Sequence, residues 1–306
     1  MRFLAVCIPV LVLCNLAHAA DIPDLTTALQ NTYRACADID RDLTEMKKLA
    51  GINTVITGVG TGLGVGATAT GIAKARTDAK IAEWERILDE IIRNQTKDIQ
   101  HARIINDQLD EFFKQYNFNT VSDVRNAVSD AKEKSKRLGN WRTGLLAGNT
   151  ATNVAGAIIA NRNKVDSDLQ SKINGCVSAV DVLKNAINQA RVAEDEIGEA
   201  QDIYNACREY AYLDLSPINK RAKGAFVSSA IGVVTGGIGT VTSAMANSDE
   251  VREGDKEKEK KLNKTANVMS AGSTIASASA TVFNASQIAA IKKVVAVSER
   301  CSEVLK

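Results

Sequence analysis

The sequence predicts an all-α fold, an elongated helical bundle built from two related halves. The chain has only 3 Pro among 306 residues, and Ala, Ile, Lys, Glu and Asp are plentiful, a composition typical of helices. Four uncharged stretches, rich in Gly, Ala, Ser and Thr, interrupt the charged sequence. The order cysteine, uncharged stretch, charged stretch, uncharged stretch, cysteine occurs twice. Each half is therefore expected to contain two close-packing helices.

The N-terminus has the pattern of a cleavable secretory signal over residues 1–19. Arg2 is followed by an apolar run over residues 3–16 and by a small-x-small exit at Ala17 to Ala19. The run is too short to span a bilayer comfortably, so it predicts export rather than anchorage. The mature chain is therefore expected in the periplasm or outside the cell, an oxidising location in which disulfides persist.

The first half is expected to cover residues 20–190 and the second half residues 191–306. The first cysteine of each half lies in the same motif, Tyr-x-Ala-Cys. A turn near residues 191–198 would bring the last cysteine of the first half level with the first cysteine of the second. A single uninterrupted helix would instead hold these two cysteines roughly 45 Å apart, and the turn is the favoured prediction.

Four cysteines remain after removal of the signal, and an even number in an exported chain indicates disulfides. Four cysteines allow three connectivities, and equivalent partners in two equivalent halves favour Cys36 with Cys176 and Cys207 with Cys301. Metal ligation would need close cysteine pairs or nearby histidines, which the mature sequence lacks, so no metal site is predicted. Four unpaired, buried thiols are the remaining alternative.

Small residues recur at every fourth position in the four uncharged stretches, residues 51–73, 143–161, 224–248 and 265–291. On a helix this spacing makes a smooth face that another backbone can approach closely. Glycine also alternates with apolar residues over residues 58–66, so a strand is the alternative there. The predicted helix-packing residues are Gly58, Gly62, Gly66, Gly144, Gly148, Gly156, Gly224, Gly232, Gly236, Gly272, Ala276 and Ala280.

A charged insertion over residues 74–142 distinguishes the first half from the second, which has only a short charged connector over residues 249–264. Apolar residues in the insertion recur at steps of three and four, as in an amphipathic, coiled-coil-like helix, and a turn is predicted at residues 117–120. Because one half has this insertion and the other lacks it, its apolar side chains are predicted to contact a partner: Trp84, Leu88, Ile91, Leu109 and Phe112.

The uncharged stretches could lie in a bilayer or in a soluble core. Each is roughly 19 to 27 residues long, enough to cross a hydrocarbon layer, and four crossings would return all four cysteines to the outer side. However, the stretches are poor in Leu and contain asparagines that are costly in hydrocarbon. The sequence therefore favours a water-soluble exported bundle with a small-residue core, and membrane insertion is the alternative.

Charge and motif content exclude several function classes. The net charge of +2, with interleaved acids and bases, predicts no nucleic-acid partner. His101 is the one histidine of the mature chain, and no phosphate-binding glycine loop is found, so no catalytic residue, cofactor or small-molecule substrate is predicted. We expect a non-enzymatic protein that acts by helix-mediated association with itself, an envelope protein or a membrane surface. A membrane-inserting, pore-forming or channel-like protein is the alternative.

Overall fold

A computed structural model describes residues 23–94, 109–192 and 197–306, and these residues form helices without any strand. The all-α prediction is confirmed, and the strand alternative for residues 58–66 is wrong. The predicted signal peptide and His101 lie outside the described residues. The α-helices are α1 (Leu25–Cys36), α2 (Ile39–Asn94), α3 (residues 109–116), α4 (Val121–Arg162), α5 (Ser167–Val192), α6 (Gly198–Cys207), α7 (Ser216–Ala246), α8 (Asp249–Gly254) and α9 (Lys256–Val304), and a 3₁₀ turn (Arg208–Tyr212) follows α6.

Local side-chain bonds define two of the helix starts. The Asp24 carboxylate accepts a 2.8 Å bond from the Thr27 backbone N–H and caps α1. Before α4, Asn117 has a positive φ of 54°, and a capping box joins Thr120 with Asp123. The predicted turn at residues 117–120 is thus confirmed, because these residues end one helix and begin the next.

The chain divides into two compact units. Unit 1 combines Met1–Met46, Val165–Leu215 and Ile291–Lys306, and unit 2 combines Lys47–Lys164 with Ser216–Ala290. Each unit contains residues from both predicted halves, so the compact units do not coincide with the halves that the sequence repeat indicates.

Unit 1 has the ordinary interior of a water-soluble helical domain. Leu43, Ile173, Leu183 and Ile203 are fully or almost fully buried in it. Among its described residues, the large hydrophobic side chains that are exposed are Val192, Tyr212 and Val304. Burial of aliphatic side chains is what drives such a unit to fold in water.

Two disulfides lie in the core of unit 1. Cys36 is bonded to Cys176 and Cys207 to Cys301, with Cα–Cα distances of 4.9 and 4.6 Å. These are the pairs that the repeat favours. The Sγ atoms of Cys36, Cys176 and Cys301 all lie within 4.8 Å of one another, so Cys176 and the second disulfide are level, as the predicted turn between α5 and α6 requires.

The charged insertion in unit 2 forms a helical hairpin from the end of α2, α3 and the start of α4. Its core contains Ile87, Phe112 and Val124. Trp84 packs edge-on against Tyr116, with ring centroids 5.5 Å apart. The five side chains that the sequence assigns to a partner surface therefore pack within the hairpin: Trp84, Leu88, Ile91, Leu109 and Phe112.

The buried residues of the long helices in unit 2 follow one another at alternating steps of four and three. This is the spacing of a coiled coil, in which the a and d positions of each heptad face the neighbouring helices. From Ser135 to the C-cap of α4 the buried positions are Ser135, Gly139, Arg142, Leu146, Asn149, Asn153, Gly156, Ala160 and Asn163. The same spacing occurs on α2 at Asn53, Thr57, Gly60, Gly64, Ala67, Gly71 and Lys74.

Candidate functional site

Most large hydrophobic side chains of the uncharged stretches in unit 2 face outward. Monomeric soluble proteins rarely expose contiguous apolar surface beyond a few hundred Å². We call this set the apolar band: Ile52, Val55, Val59, Val65, Ile72, Val154, Ile158, Phe226, Val227, Ile231, Val234, Ile238, Val241, Met245, Val268, Ile275, Val282 and Phe283. The outward face of the bundle is therefore its most hydrophobic part.

The interior of the same segment is polar. Leu146 is the one large aliphatic side chain that is buried in the unit 2 part of the four uncharged stretches, all of whose residues the structure describes. The other buried side chains there are small or polar. We call the polar set the polar core: Asn53, Thr57, Asn149, Asn153, Ser228, Ser229, Ser243, Asn247, Ser270, Ser273, Ser277, Asn284 and Gln287.

Hydrogen bonds between helices connect the polar core. Asn149 Nδ2 donates to Ser273 Oγ at 2.9 Å, and Asn153 Nδ2 donates to Ser277 Oγ at 2.8 Å, which joins α4 to α9. Ser277 Oγ in turn donates to Asn149 Oδ1 at 2.9 Å. Such amide and hydroxyl pairs satisfy one another only in one register, so the network fixes how α4 and α9 align.

Two cations are buried at the end of the polar core nearer the charged hairpin. Arg142 is fully buried and donates to three neutral oxygens, at Ser243, Asn263 and Asn267, with distances of 2.8, 2.7 and 3.0 Å. Lys74 is also fully buried but forms ion pairs with Asp78 at 2.7 Å and Glu259 at 3.1 Å. Arg142 thus joins α4 to α7 and α9, and Lys74 joins α2 to α9.

Most of the predicted helix-packing residues lie at close contacts inside the bundle. A Cβ added to Gly232 would lie 2.6 Å from the Asn153 side chain, and one added to Gly224 would lie 2.8 Å from the Phe283 ring. Gly148, Gly156, Gly236 and Gly66 also face side chains of other helices, Gly272 faces Thr235 at an ordinary 3.6 Å, and Ala276 and Ala280 are buried.

Three predicted packing glycines instead face open space. A Cβ added to Gly58, Gly62 or Gly144 would meet nothing within 4 Å. On α2 the closest contacts belong to glycines that the prediction omitted: a Cβ added to Gly64 would lie 2.6 Å from Thr274 Oγ1, and Gly60 faces Thr152. Two faces of α2 contain glycines, and the buried face is the one that also contains Asn53 and Thr57.

Two further features were candidates for a functional site: the cluster of cysteine sulfurs in unit 1 and a charged groove in unit 2. The close sulfurs of unit 1 are bonded to one another as disulfides and are not thiolate ligands for a metal. A groove in unit 2 is lined by acids and bases in close pairs, among them Lys132 with Glu85 at 2.7 Å and Lys136 with Asp249 at 2.7 Å. These pairs neutralise one another, so the groove presents no concentrated charge.

Two helical segments are long and apolar enough to cross a membrane, one within Leu25–Arg93 and one within Ser216–Ala246. Neither is mostly buried, in contrast to the core helix of a soluble protein. No protein-family model, curated protein or solved structure matches the chain. Its function must therefore be argued from its own residues.

Proposed function

We propose that this chain is an exported, non-enzymatic membrane protein whose unit 2 bundle crosses a lipid bilayer through its four uncharged stretches. One observation carries this proposal: unit 1 buries aliphatic side chains and exposes polar ones, whereas the bundle of unit 2 does the reverse. The polar surface of unit 1 is suited to water, and the apolar band of unit 2 is suited to the hydrocarbon of a bilayer.

The polar core supports this proposal because of how membrane helices associate. Lipid tails are as apolar as valine or isoleucine, so these side chains gain nothing from facing one another. Helices in a bilayer instead pack through small residues and interhelical hydrogen bonds, which is the composition found here at Gly232 and at the Asn153–Ser277 bond. Three asparagines that argue against insertion in the sequence, Asn149, Asn153 and Asn284, are buried in the polar core, and Asn267 accepts a bond from the buried Arg142.

The dimensions also suit a bilayer. The uncharged stretch of α4 is bounded by Arg142 and Arg162, and the helical rise separates these residues by about 30 Å. This is the typical thickness of the hydrocarbon layer. Trp141, which is 67% exposed, lies next to Arg142 at one boundary, where aromatic side chains of membrane proteins are enriched.

The signal sequence and the disulfides favour the orientation of the proposal. Four crossings return the chain to its starting side, so an exported N-terminus places all four cysteines in the oxidising compartment. The charged hairpin and the connector at residues 249–264 then lie on the opposite side. The two-copy origin of the chain remains part of the proposal, supported by the repeated Tyr-x-Ala-Cys motif and by the equivalent cysteine partners.

A channel-like activity is the second candidate, and one observation favours it. Buried polar atoms without a hydrogen-bond partner among the described residues occur in the polar core, at Asn53 Oδ1, Ser229 Oγ and Gln287 Oε1. Water is the usual partner of such atoms, and a hydrated polar axis inside an apolar wall could pass small solutes. Ion flux through liposomes that contain the purified chain tests this activity, and sealed liposomes would reject it.

Membrane insertion is tested by expressing the chain and washing its membranes with alkaline carbonate. We expect the wild-type chain to resist extraction. Val234→Asp and Ile275→Asp place a carboxylate on the apolar band, so both variants should insert less and be extracted more. Val192→Asp is the matched control, because Val192 is 88% exposed in unit 1, and it should behave as the wild type.

A different outcome would identify a protein partner. If the wild-type chain is recovered in the soluble fraction as an oligomer, and if Val234→Asp converts it to a monomer, the apolar band binds another protein surface and not lipid. That result would reject insertion and support the helix-mediated association that the sequence favours.

A further inference from the structure

We propose that unit 2 binds anionic phospholipid head groups through a collar of basic residues at the end of the apolar band remote from Arg142. This inference rests on the proposed membrane insertion and adds a lipid specificity to it. The collar, which we call the basic collar, consists of Lys48, Arg162, Lys164, Lys220, Arg221 and Lys223.

Contacts among four helices bring the collar together at one end of the bundle. Lys164, after α4, lies 5.5 Å above the ring of Phe226 on α7. Arg221 of α7 donates to the backbone oxygen of Ser286 on α9 at 2.7 Å. Two residues before Ser286 on α9, Asn284 accepts a 3.0 Å bond from Asn53. Lys48 precedes Asn53 on α2 by five residues, which is about one and a half turns.

The collar has no acidic residues of unit 2 to neutralise it. Residues 47–77, 143–164, 216–248 and 265–290 contain no Asp or Glu. None of the six cations forms an ion pair with another residue in the described part of the chain. Lys48, Arg162, Lys220 and Lys223 are exposed to solvent.

The opposite end of the band differs in this respect. There Lys74 is paired with Asp78 and Glu259, and Lys136 is paired with Asp249. The two ends of the band therefore offer different chemistry. At the collar end no basic residue has a carboxylate partner among the described residues, whereas at the other end carboxylates such as Asp78, Asp249 and Glu259 lie among the basic residues.

A phospholipid with an anionic head group fits both parts of this surface. Its phosphate meets the basic collar, and its acyl chains meet the exposed side chains that border the collar, such as Phe226, Val227 and Val282. A soluble anion would engage the collar alone and would leave the adjoining apolar surface in water. The geometry therefore points to lipid as the source of the anion.

The test is the lipid selectivity of the purified full chain in phosphatidylcholine bilayers, measured with spin-labelled phosphatidylglycerol and spin-labelled phosphatidylcholine. We expect the immobilised lipid at the protein surface to be enriched in phosphatidylglycerol, by roughly fivefold for each lysine that engages a head group at low salt. High salt should reduce the enrichment, because it screens exposed charges.

Charge-neutral variants identify the collar as the cause. Lys48→Gln, Lys220→Gln and Lys223→Gln combined should reduce the preference for phosphatidylglycerol, by roughly fivefold for each of these lysines that engages a head group. The matched control removes the same charge at the other end with Lys134→Gln, Lys258→Gln and Lys260→Gln, all of them exposed in the wild type, and should retain the preference.

The two ways to fail are distinct. Immobilised lipid without a preference for phosphatidylglycerol, or a preference that is as strong in the collar variant as in the wild type, would overturn the present inference and leave insertion intact. No immobilised lipid of either kind would contradict the proposed function itself.

Discussion

Arg142 Nε donates to the hydroxyl of Ser243 at 2.8 Å, in a part of the bundle where neither side chain is exposed. The remaining guanidinium nitrogens donate to side-chain amides of α9. Burial of a cation among neutral oxygens costs desolvation free energy. Removal of the cation is also costly, because it leaves several acceptors without donors. This contact therefore fixes α4, α7 and α9 at one level.

Loss of the Arg142 side chain should destabilise the bundle strongly. Arg142→Gln removes the guanidinium donors of one buried hydroxyl oxygen, at Ser243, and of two partly buried amide oxygens, at Asn263 and Asn267. We therefore expect the free energy of unfolding to fall by roughly 2 to 4 kcal/mol. Denaturant titration of the purified chain in lipid or detergent measures it. Arg137→Gln is the control, because its side chain is 69% exposed with one ion pair of 3.8 Å, and it should change the value by less than about 0.5 kcal/mol. Equal effects of the two substitutions would be inconsistent with the buried contact.

Substitution by alanine should have opposite effects on stability at two of the predicted helix-packing glycines. In Gly232→Ala the new methyl group meets the Asn153 side chain at 2.6 Å, and we expect a loss of about 1 to 3 kcal/mol in the free energy of unfolding. In Gly62→Ala the methyl group meets nothing within 4 Å, so stability should stay constant or rise by up to about 1 kcal/mol. Thermal unfolding of both variants provides the comparison. Destabilisation by Gly62→Ala would mean that its face packs against something.

The closeness of the two disulfides predicts thiol exchange when one cysteine is removed. In Cys207→Ser, the Cys301 thiolate lies within reach of the bond between Cys36 and Cys176. Its attack on either sulfur forms a new disulfide and releases the other cysteine as a thiolate, so no external oxidant is needed. Peptide mapping after mild alkaline incubation should therefore find Cys301 paired with Cys36 or with Cys176.

The double variant Cys207→Ser, Cys301→Ser is the control for this exchange, and it should contain only the disulfide between Cys36 and Cys176. If the single variant also retains that disulfide alone, with Cys301 fully alkylated, the sulfurs do not exchange and the prediction fails.

The two tryptophans should report different surroundings in a bilayer. Trp141 is exposed at a boundary of the apolar band, whereas Trp84 packs against Tyr116 and Phe118 in the hairpin. In the variant Trp84→Phe, fluorescence of Trp141 should be quenched by lipids brominated near the head group. In Trp141→Phe, the remaining Trp84 should be insensitive to them. If the fluorescence of Trp141 in Trp84→Phe is the same in brominated and in unbrominated lipids, Trp141 lies outside the bilayer.

The sequence was sufficient to predict the helices, the cysteine pairs and the hairpin turn, because each of these depends on local composition or on the internal repeat. It was not sufficient to assign the faces of the uncharged helices. On α2, glycines at residues 58, 62 and 66 and glycines at residues 60 and 64 form two different faces with the same local spacing. Only their packing against Asn149, Thr152 and Thr274 decides which is buried.

The sequence favours a soluble core when the cost of each asparagine is added to its stretch as a whole, without regard to the face of the helix on which the asparagine lies. Ser270, Ser273, Ser277, Asn284 and Gln287 all lie on one side of α9, whereas Val268, Ile275 and Val282 lie on the other. The coiled-coil spacing of these polar residues was present in the sequence and would have revealed the polar interior. The partner contact of Trp84 and its neighbours stays a prediction, because an amphipathic helix does not reveal what covers it and the hairpin buries most of these side chains only in part.

Collision rates of spin labels with oxygen and with a water-soluble nickel chelate decide whether the apolar band of unit 2 faces lipid. Labels at Val234 and Ile275, which are 60% and 68% exposed, are compared with a label at Lys258 in the charged part of α9. We expect frequent oxygen collisions and rare nickel collisions at Val234 and Ile275, with the reverse at Lys258. Nickel collisions at Val234 and Ile275 as frequent as those at Lys258 would contradict membrane insertion, because the apolar band would then face water.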